Sequence, residues 1–135
     1  MGDWGHKPFD NDSACDWAYD LEEVDDLTHI EFTIDNALDD EEPFLDAGAG
    51  CEVIAACETL ARLLGKPGPS DEYTKDVEAW VAEHPVKPTP ALLKRADKAL
   101  ERVLSADSEL RQCWDEVGPQ EWLAVVKDLR QRLRT

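Results

Sequence analysis

Residues 51–65 read CEVIAACETLARLLG, and this stretch decides the fold class. Its apolar side chains recur at helical spacing and form one stripe along a helix: Val53, Ile54, Cys57, Leu60, Ala61 and Leu64. Glu58 lies beside the stripe, whereas three other polar residues lie farther from it: Glu52, Thr59 and Arg62. Gly65 and Pro67 end the helix. The pattern predicts an interior helix with one apolar face.

The segments on both sides repeat this helical periodicity. Six further helices are predicted, over about residues 14–24, 28–38, 72–83, 91–104, 108–117 and 122–133. We expect Thr28 to cap the second of these helices, because its hydroxyl can accept a hydrogen bond from a first-turn amide. Tyr73 is expected to point into the core. No segment alternates between polar and apolar residues as a strand would.

An acidic segment separates the second predicted helix from the helix at 51–65. It reads DDEEPFLDAGAG over residues 39–50, and we expect a loop because Pro43, Gly48 and Gly50 interrupt regular structure. With 135 residues and 42% hydrophobic content, the chain fits one domain with a real core. The sequence therefore predicts a single all-α domain over residues 1–135, a compact bundle of about seven helices.

An arm of mixed aromatic and turn-forming residues precedes the first helix, reading WGHKPFDND over residues 4–12. Asp10 is the expected helix cap, since its carboxylate can accept hydrogen bonds from the free amides of the first turn. This cap would place Phe9 and Ala14 at the spacing of a hydrophobic staple. We expect the rings of Trp4 and Phe9 to cover the end of the bundle, which makes the arm ordered. The alternative is an exposed Trp4 that anchors a partner.

The opening stretch WGHKPFDNDSACDWAYDL resembles the start of a bacterial family, the domain-of-unknown-function family 4259. The resemblance depends on Trp4, Gly5, Pro8, Phe9, Asp10, Asn11, Asp12, Ala14, Asp16, Trp17, Asp20 and Leu21. AACETLARLLGKP at 55–67 is similar to an Ala-rich helix of that family, and SELRQCWDE at 108–116 is similar more loosely. Lys7 stands where the family has glycine, which alters a turn that could need positive φ. The resemblance implies a small helical bacterial protein and supplies no activity.

Charge is distributed unevenly along the chain. Residues 1–50 hold sixteen acids and one base, a net charge of −15, whereas residues 51–135 hold fifteen acids and thirteen bases, a net charge of −2. The sum is the −17 of the whole chain. A surface this negative repels nucleic acid and anionic membranes and accelerates encounter with a basic protein. Solubility alone would explain the net charge but does not require the asymmetry.

The leading hypothesis is therefore a non-catalytic binding protein that docks on a basic partner. Bacterial immunity proteins and antitoxins fit this description, and mimicry of DNA by an acidic helix surface is a variant of it. The carboxylates expected to bind the partner are Asp16, Asp20, Glu22, Glu23, Asp25, Asp26, Asp39, Asp40, Glu41 and Glu42. No cofactor is expected. The sequence shows no export signal and no apolar run of membrane-spanning length, so we expect a cytoplasmic location.

Two other hypotheses stay open at this point. A Mg²⁺-dependent nucleotide pyrophosphohydrolase of the all-α type would use carboxylates three or four residues apart on neighbouring helices. Its ligands would be Asp16, Asp20 and Glu23, with Glu58 facing them from the third helix. Against this, no cluster of Lys or Arg lies nearby to neutralise a triphosphate. The third hypothesis is a housekeeping oligomer without a dedicated partner.

Other reactive residues give little support for catalysis. Asp25 and Asp26 are four and three residues before His29 and could share a metal with it, but we expect His29 to be a solvated surface residue. Cys15 falls in the first turn of a helix, where the dipole lowers a thiol pKa, yet Asp12 and Asp16 act in the opposite direction. The four cysteines form no CxxC pair and are interpreted as small buried thiols.

Overall fold

The computed structural model describes residues 5–39 and 44–134. Within these ranges the chain forms seven α-helices and no strand, which confirms the all-α prediction. The helices are α1 (Asp12–Leu21), α2 (Thr28–Ala37), α3 (Ala47–Leu63), α4 (Lys75–Glu83), α5 (Pro90–Val103), α6 (Glu109–Val117) and α7 (Gln120–Leu133). Each helix overlaps one of the segments with helical periodicity, and most ends lie within three residues of the predicted ones.

Helix α3 is the centre of the bundle and contacts each of the six other helices. It is therefore buried on nearly all sides, and Thr59 and Arg62 are buried with its apolar residues. The prediction that these two residues lie away from the core is wrong. A helical wheel with one apolar stripe describes a helix with one face against the core and one toward solvent, and α3 has neighbours on both.

The start of α3 also lies earlier than predicted. Gly48 and Gly50, expected in a loop, are in its first turn, and Asp46 caps it by accepting a hydrogen bond from the Ala49 amide at 2.8 Å. A methyl group at Gly50 would meet Leu110 Cδ2 at 3.2 Å, closer than ordinary van der Waals contact. The glycine therefore allows α6 to approach α3, and the favourable cap offsets the low helix propensity of glycine.

The N-terminal arm lies against the bundle over residues 5–10. Phe9 is fully buried, while Lys7 Nζ lies 2.6 Å from the Asp71 carboxylate. The ring of His6 stands 5.1 Å from that of Trp114, and its Nδ1 lies 3.0 Å from the Glu121 carboxylate. The expected order of the arm is thus seen in its described part. Trp4 lies outside the described residues, so its role stays a prediction.

Three details at helix starts differ from expectation. Asn11, not Asp10, caps α1 by accepting a hydrogen bond from the Ala14 amide at 2.7 Å, so Phe9 lies one position too early for a staple. Thr28 is the first residue of α2 rather than its cap, and its amide is bound by Asp26. Tyr73 is exposed because α4 begins only after it.

The tryptophans on the helices supply much of the core. Trp17, Trp80 and Trp122 are buried, whereas Trp114 is only partly buried and lies under the arm. The indole N–H of Trp17 donates to the Thr33 hydroxyl at 2.8 Å, which satisfies the one polar atom of that ring. This hydrogen bond joins Trp17 of α1 to α2.

Candidate functional site

Six carboxylates of α1 and the turn that follows it, residues 22–27, point into solvent. We call this set the acidic surface: Asp16, Asp20, Glu22, Glu23, Asp25 and Asp26. The exposure of Asp16 and Asp20 follows from the apolar pattern of α1. The helix buries Ala14, Trp17, Ala18 and Leu21, so the residues between them point outward. Among the described residues only Asp25 of this set has an ion-pair partner, His84 at 3.1 Å. The acidic surface is therefore almost uncompensated.

The remaining residues predicted to bind a partner lie elsewhere or outside the described ranges. Asp39 is exposed after α2, and its carbonyl accepts a hydrogen bond from Arg102 at 3.2 Å. Asp40, Glu41 and Glu42 lie outside the described residues, so their participation stays a prediction.

Two aromatic side chains are exposed beside the carboxylates of the acidic surface. Tyr19 is 65% exposed and lies on α1 between Asp16 and Asp20, and Phe32 of α2 is 71% exposed. Large apolar side chains in water are normal when scattered singly. Here they border a charged surface, which is the composition of many protein-binding sites.

A cleft of about 410 Å³ opens between α1, α2 and the start of α3. Asp20, Phe32, Asp46 and Glu52 line it, together with His29. Partial burial raises the pKa of Glu52, and the negative charges of Asp46 and Asp20 raise it further. The carboxylate of α3 that faces Asp20 is therefore Glu52, which lies away from the apolar stripe of the helix and was not predicted as a site residue.

Glu58, proposed as the fourth ligand of a magnesium site, is used differently. It is 1% exposed and its carboxylate accepts hydrogen bonds from Arg62 Nε at 3.0 Å and from Arg132 Nη2 at 2.8 Å. The Gly68 amide donates to it as well, at 3.0 Å. Both oxygens are thus occupied within the protein. Among the described residues Glu58 is not grouped with Asp16, Asp20 and Glu23 as a metal site, and the metal hypothesis itself stays a prediction.

Other potential metal ligands do not converge either in the part of the chain that the structure describes. No group of three or more His, Cys, Asp or Glu side chains is placed to hold a metal ion there. His29 is not a freely solvated residue: its ring stacks on Trp17 at 4.7 Å, with Nε2 3.2 Å from the Trp17 carbonyl oxygen. Asp25 pairs with His84 rather than with His29, as the fold brings α4 beside the turn.

At least two of the thiols are unsuited to nucleophilic attack. None of the four cysteines is in a disulfide; Cys51 and Cys57 are buried as expected, whereas Cys15 and Cys113 are only partly buried. Partial burial raises the pKa of Cys15, as do the neighbouring charges of Asp12 and Asp16. Burial likewise raises the pKa of Cys57 far above its ordinary value. A thiolate, which is the reactive form, is therefore disfavoured at these two positions.

Among the described helices none is long and apolar enough to cross a membrane.

Comparison with known proteins identifies the family of the chain and nothing beyond it. No curated protein and no solved structure matches the chain. A family model does match, over residues 2–125, and covers most of the 135 residues. The chain belongs to the family described as Domain of unknown function (DUF4259).

Proposed function

We propose that this protein is a non-catalytic binding module whose acidic surface docks on a basic protein partner, in the manner of an immunity protein or antitoxin. One observation carries the proposal: the carboxylates of the acidic surface are exposed, and all but Asp25 lack an ion-pair partner among the described residues. Carboxylates left unpaired in this way keep their full charge available to a partner. We further propose that the two proteins meet in the cytoplasm.

The arginines of the chain explain why this charge stays free. Arg62 and Arg132 bind Glu58, and Arg130 binds Asp97 through two hydrogen bonds of 2.8 and 3.1 Å. These guanidinium groups hold helices together and are therefore unavailable to the acidic surface. The basic residues of the final helix do not compensate it.

Exposed charges and exposed aromatic rings would contribute at different steps of binding, the charges during encounter and the rings in the final complex. Unpaired charges raise the rate of encounter with a cationic surface by about 10–1,000-fold, and this effect weakens as salt rises. Stability of the final complex depends more on desolvated aromatic anchors. Tyr19 and Phe32 are suited to that role, because both are exposed: Tyr19 follows Asp16 and precedes Asp20 on α1, and Phe32 lines the cleft with Asp20.

Spacing favours an ordinary docking surface over mimicry of DNA. Asp16 and Asp20 are four residues apart on α1, which separates them by about 6 Å along the helix axis. A DNA duplex presents one charge per about 1.7 Å of its axis. The row on α1 therefore has roughly a quarter of that charge density.

The proposal is tested by neutralising four carboxylates of the acidic surface together: Asp16→Asn, Asp20→Asn, Glu22→Gln and Glu23→Gln. The matched control removes the same charge from exposed acids elsewhere: Glu72→Gln, Asp76→Asn, Asp107→Asn and Glu116→Gln. A partner is first captured from extracts of the organism that encodes the chain, and association is then followed by surface plasmon resonance at several salt concentrations.

We expect the acidic-surface variant to associate about tenfold more slowly at low salt, with a weaker dependence on salt than the control. Equal rates for the two variants would reject the docking surface. A housekeeping oligomer without a dedicated partner is the competing hypothesis, and it predicts self-association in sedimentation with no captured protein.

A further inference from the structure

The turn of residues 22–27 carries four carboxylates of the acidic surface and is fastened to the end of α4. The indole N–H of Trp80 donates to the Val24 carbonyl at 2.8 Å. Next to it, His84 Nε2 lies 3.1 Å from the Asp25 carboxylate. Asp25 is 95% exposed, whereas the His84 side chain is only 19% exposed. The turn is therefore held by one buried aromatic residue and one histidine.

The ring of His84 has a hydrogen-bond acceptor at each nitrogen. Nδ1 lies 2.9 Å from the Trp80 carbonyl oxygen, opposite the contact that Nε2 makes with Asp25. The ring also stacks on Trp80, with centroids 4.8 Å apart. Neither a carbonyl nor a carboxylate can donate a hydrogen bond, and neutral imidazole carries one N–H. Both contacts are satisfied together only when His84 is the imidazolium ion.

The charges that face His84 support the same state. Asp25 comes from the turn and Glu83 from α4 itself, and both are negative. The Trp80 carbonyl raises the pKa of His84 most, partial burial lowers it, and the two carboxylates raise it further, so the net direction is upward from 6.5.

We propose that His84 is a proton-operated clasp on the acidic surface, which holds the turn of residues 22–27 against α4 while it is protonated and releases Asp25 when it is not. Loss of the proton sets a nitrogen lone pair against an oxygen at one of the two contacts. The Trp80 contact is made by a ring that stacks on Trp80 and is mostly buried, whereas the Asp25 side chain is exposed and can swing into water.

The consequence for docking depends on the function proposed above. Above the midpoint of the clasp the acidic surface gains one free carboxylate, and its turn loses one of its two fastenings. The partner would then meet a more negative but less ordered surface. The titration itself is a property of the isolated chain and needs no partner.

The test is a titration of the full chain from pH 5 to pH 9, followed by nuclear magnetic resonance of the histidine rings, the amides of residues 22–27 and the Trp80 indole. We expect the His84 midpoint above 6.5, and we expect the turn amides and the indole to change with the same midpoint. In Asp25→Asn the midpoint should move down and the turn amides should no longer follow it.

Asp26→Asn is the matched control, because it removes the same charge from the same turn while its carboxylate binds Thr28, at 2.6 Å from the hydroxyl, rather than His84. A smaller shift in the control than in Asp25→Asn supports the clasp. A His84 midpoint at or below 6.5, or equal shifts in the two variants, overturns it. The titration does not bear on the docking proposal, which is tested by the association kinetics. A negative kinetic result would likewise leave the titration result unchanged.

Discussion

Glu58→Gln tests whether the buried ion network holds the bundle together. The side chain of Glu58 joins three parts of the chain: α3 through Arg62, the segment after it through Gly68, and α7 through Arg132. Glutamine keeps the shape but removes the negative charge and one acceptor oxygen. Two guanidinium groups then face an uncharged amide whose own N–H groups repel them.

The cost follows from burial of the partners. The Arg62 and Arg132 side chains are 4% and 13% exposed, so water does not replace the lost carboxylate. Removing one partner of a buried ion pair costs about 3–5 kcal/mol. The unfolding entropy for 135 residues is about 0.28 kcal/mol/K, so the melting temperature should fall by roughly 11–18 °C. A loss of about 3–5 kcal/mol is a large part of the free energy of unfolding of a typical protein, which is about 5–15 kcal/mol.

Glu101→Gln is the matched control. It also pairs with an arginine, Arg130 at 3.0 Å, but its side chain is 59% exposed. An exposed pair contributes about 0–1 kcal/mol, which corresponds to at most about 4 °C here. Thermal and urea unfolding of the two variants, followed by circular dichroism, gives both differences. Hydrogen exchange should also show faster opening of α7 in Glu58→Gln.

A loss below 1 kcal/mol in Glu58→Gln, or a loss equal to that in Glu101→Gln, would refute the reasoning. It would mean that the arginines find other acceptors or water at no great cost. Loss of stability without faster exchange in α7 would refute the more specific claim that the network fastens the final helix.

Two further predictions concern the same network and its neighbour. Gly68→Ala should cost about 1–3 kcal/mol in urea unfolding, because the added carbon would lie 2.9 Å from a Glu58 oxygen, and no loss would show that the segment moves aside freely. The hydrogen bonds from Arg130 lower the pKa of Asp97 from 3.8, so their stabilisation is present above that pH and is lost as pH falls through the folded value. Asp97→Asn should therefore be less stable at pH 7 and show a shallower loss below pH 4, whereas parallel pH profiles would contradict this assignment.

Local properties of the sequence predict the helices well. Periodicity within a segment reports which residues share a face, and this is why Trp17, Ile34 and Leu100 are found in the core. Glycine is a less reliable predictor of a loop where a capping residue precedes it, because the cap favours a helix start. Gly48 and Gly50 looked like breakers, but Asp46 caps the helix and Leu110 needs the space that Gly50 leaves.

Partners between distant segments could not be predicted in the same way. Glu58 and Glu52 lie on one helix, and the sequence does not say which of them faces α1 and which faces α7. That choice depends on the packing of α3 among six neighbours. One missed residue did have a local signal: His84 caps the end of α4, four residues after Trp80, a spacing at which helical side chains meet.

The uneven charge of the chain is explained by how its carboxylates are used after folding. Glu58 and Asp97 are bound by arginines that join helices, so they stabilise the fold and present little charge to solvent. Asp16, Asp20 and Glu23 are exposed and have no ion-pair partner among the described residues. Like charges held close on one surface repel one another and lower stability. The acidic surface is therefore unfavourable for the isolated chain, and the basic partner that we propose would relieve its repulsion.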